Sequence, residues 1–200
     1  MVRADGDAAA GIAAIEHAVG GIIMAGFPFR RSDGTLTRRK DEAMADERRY
    51  VTSGGCQCGA VRYAVYGEPF EPSICWCRMC QKATGGLFGA FVDVKDDDLV
   101  WTRGEPSRFR SSEAAERGFC SACGTPLFYH YRSGHRYAMT AGSFDEPTRW
   151  PPERQLVPEN RPAFAAELVR LEEVPTSSWQ NDPEAFASRQ HPDRDTERWP

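Results

Sequence analysis

The chain has 200 residues, 40% of them hydrophobic, and its 25 basic and 29 acidic side chains give a formal net charge of −4. This length allows one domain with a hydrophobic core, and a net acidic chain lacks the basic character that nucleic-acid binding usually requires. No run of 18 or more apolar residues is present, so the sequence predicts no transmembrane helix. The net acidic charge predicts no nucleic-acid partner.

Residues 1–43 differ in composition from the rest of the chain, being rich in alanine and glycine and ending in a charged run. Gly20 and Gly21 would weaken a helix over their apolar part by about 1 kcal/mol each. We therefore predict a disordered extension here. Met44 opens a stretch that resembles a natural protein start, so our hypothesis is that residues 1–43 result from an over-long gene prediction. Peptides from this segment in the native protein would contradict that hypothesis.

The apolar part of the N-terminal segment is interrupted by Glu16 and His17, and the residues before it are not basic overall. A secretory signal needs a basic start followed by an unbroken apolar region. We therefore predict a cytoplasmic protein. A reducing compartment keeps the cysteines available as metal ligands, and their odd number, seven, argues against a complete set of internal disulfides.

From Val51 the sequence changes to short segments that are rich in β-branched and aromatic residues. In chain order, the predicted strands are Ala60–Tyr66, Leu87–Val94, Leu99–Thr102, Ser107–Arg110, Pro126–Tyr131 and Arg136–Thr140. Only Arg78–Thr84 and Pro183–Arg189 favour a short helix. Many short strands with frequent turns indicate a mainly-β domain. The polar C-terminal composition predicts a mobile tail over residues 176–200.

All seven cysteines fall in three short clusters, namely Cys56 and Cys58, then Cys75, Cys77 and Cys80, then Cys120 and Cys123. Zinc takes thiolate ligands in tetrahedral geometry, with four protein ligands in structural sites and three with an open position in catalytic sites. The clustering therefore predicts zinc. Glycine follows a cysteine directly at Gly59 and Gly124, where a tight turn would let backbone N–H groups approach sulfur.

Spacing alone leaves the partition of these cysteines open. The two outer pairs could close one site of four ligands, so that the central triplet (Cys75, Cys77 and Cys80) supplies three ligands and leaves a position vacant. Alternatively, the first pair could join two cysteines of the triplet, and Cys120 and Cys123 would then form a separate redox pair. In a third interpretation, the cysteines are buried and inert.

Three motifs resemble those of the glutathione-dependent formaldehyde-activating (GFA) family. They are Gly54–Tyr63, which contains Cys-Gln-Cys-Gly, Cys75–Gly85, which contains the triplet, and Arg117–Leu127, which contains Cys-Ser-Ala-Cys-Gly. Ala141–Asp145 and Arg161–Phe164 are similar to its later, weaker motifs. The resemblance covers roughly Tyr50 to Pro175, and we take residues 44–175 as a GFA-type zinc-binding domain.

The resemblance implies a β-tent fold, in which two small antiparallel sheets with few short helices surround zinc. It implies that Cys56, Cys58, Cys120 and Cys123 bind a structural zinc, and that Cys75, Cys77 and Cys80 bind a second, open zinc, giving two Zn²⁺ per chain. The sulfur of a small thiol such as glutathione would complete the coordination of the second zinc. The implied activity is that of a carbon–sulfur lyase acting on S-hydroxymethylglutathione, the adduct of glutathione and formaldehyde.

This chain departs from the family pattern at two positions, with Trp76 where the family often has histidine and Gln81 where it often has arginine. The second departure removes a cation that could recognise a carboxylate of glutathione. Arg117 could offset the charge of a tetrathiolate zinc, or it could lie solvated on a strand. Two alternatives to the lyase remain, a non-catalytic zinc module for protein interaction and a thiol oxidoreductase on a related zinc fold.

Overall fold

The computed structural model describes residues 49–175 and 187–198. The predicted extension over residues 1–43 lies outside the described residues, as does most of the helix predicted over Pro183–Arg189. The described strands are β1 (Thr52–Gly55), β2 (Arg62–Val65), β3 (Phe70–Cys75), β4 (Gly89–Lys95), β5 (Leu99–Arg103), β6 (Ser107–Arg110), β7 (Ala115–Phe119), β8 (Pro126–Tyr131), β9 (Arg136–Thr140) and β10 (Arg154–Leu156). The predicted helix is present as α1 (Arg78–Thr84), and short 3₁₀ segments lie at Asp96–Asp98, Ala141–Ser143, Pro158–Asn160 and Ala163–Arg170.

These strands form two sheets, a smaller one with the order β1-β2-β5 and a larger one with the order β10-β3-β4-β9-β8-β7-β6. The prediction of a mainly-β fold with two sheets and few short helices is confirmed. The larger sheet has seven strands, and its edge strand β10 runs parallel to β3 whereas all other described strand pairs are antiparallel. A parallel pair is possible here because a long connection separates β10 from β9.

The larger sheet presents its two faces to different surroundings. Val92 and Met139 pack with Tyr63 of β2 in a core that is built from both sheets. Their neighbours Phe91 and Ala138 face the other way and pack against cysteines of the triplet. Successive side chains of a strand point to opposite faces, so this one sheet separates the main core from the triplet.

Tyr63 is the centre of the main core and is fully buried. Its ring makes edge-to-face contacts with Trp101 and Phe144, with centroids 5.8 and 5.7 Å away, and its hydroxyl lies 2.8 Å from that of Ser143. Burying a side chain of this size stabilises a fold by about 1.5–3 kcal/mol. Only glycine fits at Gly54, because a Cβ there would lie 2.4 Å from the Tyr63 hydroxyl oxygen.

A buried arginine connects the C-terminal residues to this core. Arg62, whose side chain is 4% exposed, forms ion pairs with Asp145 at 2.6 Å and with Asp195 at 2.8 Å. Burial acts to lower the pKa of Arg62, but the two carboxylates raise it overall. The backbone N–H of His191 also donates to the carbonyl of Gln57 at 2.7 Å. Residues 187–198 therefore contact the domain, and the mobility of the tail over residues 176–200 stays a prediction.

No helix in the described part of the chain has both the length and the apolar character needed to span a membrane.

Candidate metal centres and the adjoining cavity

The two outer cysteine pairs meet in one group, the four-cysteine group, which consists of Cys56, Cys58, Cys120 and Cys123. Their Sγ atoms all lie within 4.8 Å of one another. Sγ of Cys58 lies 3.6 Å from that of Cys56 and 3.8 Å from that of Cys120. Four sulfurs arranged tetrahedrally at about 2.3 Å from one zinc would be about 3.8 Å apart. The spacing of this group therefore fits a tetrahedral metal site.

Each pair of the four-cysteine group lies in a turn that ends in glycine. Gly59 and Gly124 have φ values of 73° and 77°, in the left-handed region where glycine has no steric penalty. Their N–H groups donate to the carbonyls of Cys56 and Cys120 at 3.0 and 2.8 Å. The N–H of Val61 points at Sγ of Cys56 at 3.3 Å. The prediction that these turns bring backbone N–H groups towards sulfur is confirmed.

The triplet forms a second group, whose Sγ atoms also lie within 4.8 Å of one another. Cys75 ends β3, Cys77 is the N-cap of α1, and Cys80 is buried inside that helix. Sγ of Cys77 accepts a hydrogen bond from the N–H of Cys80 at 3.4 Å, so the same contact starts the helix and sets the ligand spacing. Of the partitions that spacing left open, the structure has four cysteines in one group and three in the other.

Ionisation differs among these thiols. Burial raises the pKa of Cys75 to about 12 and also raises that of Cys80. Burial acts in the same direction on Cys77 and Cys123, but hydrogen bonds to their sulfurs lower both pKa values, that of Cys123 to about 6. Both groups could hold a metal ion, and a cation among the sulfurs would favour the thiolate form in all of them.

A cavity of about 410 Å³ opens beside the triplet. One side of it is a row of residues paired across four strands, with Arg117 on β7, Tyr129 on β8, Ala138 on β9 and Asp93 on β4. Neighbouring strands are about 4.8 Å apart, so the row is about 14 Å long. This is long enough for a molecule of peptide size lying across the sheet.

Arg117 is buried, so the interpretation of a solvated strand residue is wrong. Its Nη2 donates to Sγ of Cys80 at 3.3 Å, and its guanidinium carbon lies 5.0 Å from the centre of the Tyr129 ring. Its described hydrogen bond is thus to a sulfur of the triplet, whereas the other interpretation from sequence placed it beside a tetrathiolate site. Adjacency to Cys120 in sequence suggested the wrong group because β7 carries Arg117 on the face opposite the main core.

The two departures from the family pattern lie in one hydrogen-bonded network beneath the triplet. Trp76 is buried, and its indole N–H donates to the side-chain oxygen of Gln155 at 3.0 Å. The side-chain amide of Gln81 donates to the carbonyl of Trp76 at 3.1 Å and its oxygen accepts from Arg78 at 3.2 Å. These hydrogen bonds therefore hold together the segment from Trp76 to Gln81, which contains Cys77 and Cys80.

Asp93 is a candidate site residue that the sequence interpretation missed. It lines the cavity, its carboxylate lies 3.1 Å from Arg136, and burial raises its pKa to about 6. Alternation along β4 was the available signal, because a charged residue stands between the buried Val92 and Val94. Knowing which residues share its face requires the strand pairing, which the sequence does not give.

Comparison with known proteins identifies a family whose model matches the segment that contains every cysteine, and several similar chains. The family model described as "Glutathione-dependent formaldehyde-activating enzyme" matches residues 51–159. A "Putative glutathione-dependent formaldehyde-activating enzyme" of Halomonas elongata is 33% identical over 122 residues, which are 56% of this chain and 78% of that protein. An uncharacterized lyase of Schizosaccharomyces pombe is 32% identical over 81 residues, which are 40% of this chain and 58% of that protein.

Among solved structures, a Rhodobacter sphaeroides protein is similar with a TM-score of 0.41 and 22% identity, covering 52% of this chain and 98% of that chain. Similarity of this degree carries no argument about the site.

The two cysteine groups should respond differently to substitution. Cys77→Ser keeps a good N-cap for α1, so we expect it to remove one metal ion per chain and leave the fold intact. Cys120→Ser removes a fully buried member of the main core, and we expect loss of the cooperative unfolding transition. Metal content by inductively coupled plasma mass spectrometry, with the wild type at about two ions per chain, and thermal melts check both. Unchanged metal content in Cys77→Ser would contradict a site at the triplet.

Asp93→Asn should stabilise the protein at neutral pH. The folded-state pKa of about 6 lies above the ordinary value of 3.8, so the fold favours the protonated carboxyl and stability is lost as pH rises between these values. The variant should therefore exceed the wild type in free energy of unfolding by about 1–3 kcal/mol at pH 7.5 and match it near pH 3.5. Urea unfolding at both pH values measures this, and a gain that is independent of pH would contradict the assignment.

Proposed function

The chain belongs to the glutathione-dependent formaldehyde-activating enzyme family, and from that premise we propose that it is a zinc-dependent carbon–sulfur lyase acting on a small thiol adduct such as S-hydroxymethylglutathione. The observation that carries the proposal is the pairing of a three-cysteine group with a cavity large enough for a peptide-sized thiol. Its location in the cytoplasm stays a prediction.

In this proposal the two groups have different roles. The sulfurs of the four-cysteine group would hold a structural zinc with four protein ligands, and those of the triplet would hold a second zinc with three. When bound at the triplet, zinc would supply positive charge that stabilises the substrate sulfur as a thiolate. The buried position of the four-cysteine group in the main core suits a structural role, and the position of the triplet beside the cavity suits a substrate-binding role.

The reaction needs no redox partner. In the cleavage direction, the C–S bond of the hydroxymethyl thioether breaks, its electron pair stays on sulfur, and the hydroxyl group loses a proton as the C=O bond of formaldehyde forms. In the reverse direction, the thiolate sulfur attacks the carbonyl carbon and the oxygen takes up a proton. The protein therefore has to stabilise a thiolate, orient the aldehyde carbon and exchange one proton.

In this proposal, the residues along the cavity have different roles. Tyr129 packs against the triplet, and burial raises its pKa, so its hydroxyl stays protonated and can donate a hydrogen bond near the reacting sulfur. Cys75 pairs with Gly89 on β4. Asp93 is four residues further along that strand, so it lies about 13 Å from Gly89 at the usual rise per residue. We therefore assign Asp93 and its partner Arg136 to the far end of the substrate, away from the bond that breaks.

A second cavity, of about 320 Å³, adjoins the first across Met79 and Arg117, which line both. Its lining includes the cations Arg78 and Lys82 of α1 and no carboxylate among the described residues. At the opposite end of the first cavity, the cation Arg136 is already paired with carboxylates. This asymmetry supports an anionic thiol whose charged arm lies over α1.

The cations of α1 also bear on the departure at Gln81. Arg78 and Lys82 flank that position within one turn and a half of helix, so positive charge remains next to the triplet without arginine at residue 81. A carboxylate of glutathione is a suitable partner for it.

The decisive experiment is formaldehyde–glutathione exchange measured by NMR at equilibrium. We expect zinc-loaded protein to accelerate exchange between the adduct and its components by at least tenfold over the spontaneous rate, and Cys77→Ser to abolish the acceleration. Metal-free protein should be inactive and should recover on reloading with zinc, which controls for damage. Full zinc loading with no acceleration would favour the non-catalytic zinc module, whereas thiol-dependent reduction of a disulfide substrate would favour the oxidoreductase.

Removing the cations of α1 should selectively weaken the binding of anionic thiols. For Lys82→Gln and for Arg78→Gln, we expect the Kd of glutathione to rise about 2–5-fold in each variant in low salt, because one exposed charge contributes about 0.5–1 kcal/mol. The Kd of uncharged 2-mercaptoethanol should be unchanged. Arg110→Gln, which removes an exposed arginine of β6 paired with Glu113, is the matched control. Equal weakening of both thiols would contradict the assignment of this cavity to an anionic arm.

A further inference from the structure

Arg117 is a buried cation whose described hydrogen bond is to a sulfur. The residue is 9% exposed, its Nη2 lies 3.3 Å from Sγ of Cys80, and its guanidinium stacks over Tyr129. None of the ion pairs among the described residues involves it. A buried guanidinium without an anionic partner is strongly destabilising. The Cys80 sulfur lies at hydrogen-bond distance from it and would carry negative charge as a ligand of a metal ion bound at the triplet.

The charge of the proposed open site makes this contact consequential. Three thiolates exceed the charge of a divalent ion by one, and a substrate thiolate raises the excess to two. Excess charge of one sign is unfavourable beside the buried sulfurs of Cys75 and Cys80, because the lower dielectric there strengthens repulsion. A fixed positive charge at hydrogen-bond distance from one of the sulfurs offsets one unit of that excess.

We propose that Arg117 is a positioning residue that acts through Cys80. Its guanidinium donates to the Cys80 sulfur and would offset the negative charge of a metal-loaded triplet, so that the site accepts the sulfur of a further thiolate. The proposal rests on the proposed function, since it assumes a metal ion at the triplet and a thiol substrate. A hydrogen-bonded thiolate is also a weaker nucleophile, so the same contact directs carbon electrophiles away from Cys80 and towards the substrate sulfur.

Comparing the binding of two thiols distinguishes this role of Arg117 from direct recognition of the substrate. Glutathione carries carboxylates that Arg117 could contact, whereas 2-mercaptoethanol carries no charge besides its sulfur. Charge offset acts on the sulfur, so Arg117→Gln should weaken both thiols by about the same factor, roughly tenfold, as expected for loss of a hydrogen bond to a charged group. Arg117→Lys keeps the charge and should recover most of the affinity for both thiols.

The measurement is thiol titration of cobalt-loaded protein, followed by the sulfur-to-metal charge-transfer absorption, after metal content has been matched. Arg108→Gln is the control, because Arg108 on the neighbouring strand β6 also lies over an aromatic ring, 5.1 Å from the centre of Phe128, and has no described contact with a cysteine. Arg117→Met, which retains packing against Tyr129, replaces the glutamine variant if that variant does not fold.

Several outcomes would overturn the proposal. Unchanged affinity of Arg117→Gln for both thiols would do so. If only the affinity for glutathione falls, Arg117 instead contacts a carboxylate of glutathione. A wild-type protein that binds metal at the triplet but binds neither thiol would sink the proposed function itself. Without any variant, iodoacetamide should alkylate Cys80 of the loaded wild type, with displacement of iodide by sulfur, more slowly than Cys75 or Cys77. Faster alkylation of Cys80 would contradict a hydrogen-bonded thiolate.

Discussion

Four sulfurs within 4.8 Å of one another form the constraint on which the rest of the fold depends. The turn after β1 and the turn after β7 bring them together, so the four-cysteine group joins the smaller sheet to the larger one. Four thiolates at this distance repel one another strongly unless a cation lies between them. With zinc as proposed, the same ion removes that repulsion and fixes the relative position of the two sheets, in a domain whose main core already includes Cys56 and Cys120.

The larger sheet gives the molecule two separate environments. On β4 and β9, alternate residues pack into the main core or line the candidate site, so a shift of one residue in register would exchange the two sets. The row from Arg117 to Asp93 is a product of this pairing. The main core and the candidate site thus lie on opposite faces of the sheet, which explains how Asp93 can stand between the buried Val92 and Val94 on one strand.

Sequence predicted the elements whose residues carry a clear pattern and missed those that depend on neighbours. The segments with alternating β-branched and aromatic residues became β2, β4, β5, β6, β8 and β9. The missed strands contain glycines (β1), a proline (β3), two adjacent charged residues (β7) or no apolar pattern (β10), and they exist because adjacent strands pair with them. Cysteine spacing predicted metal but not the partition, and the role of Arg117 and Asp93 depends on strand register, which has no signal in one sequence.

Helix α1 has a consequence for how substrate preference could diverge. Its seven residues include one of the three proposed ligands, Cys80, together with both exposed cations, and its start and end are set locally by Cys77, a second proposed ligand, and by Gly85. The side chains of Arg78 and Lys82 support no part of the core. Under the proposed function, exchange of these two surface positions would therefore change the preferred thiol at little cost in stability, while Cys77 and Cys80 keep the site itself unchanged.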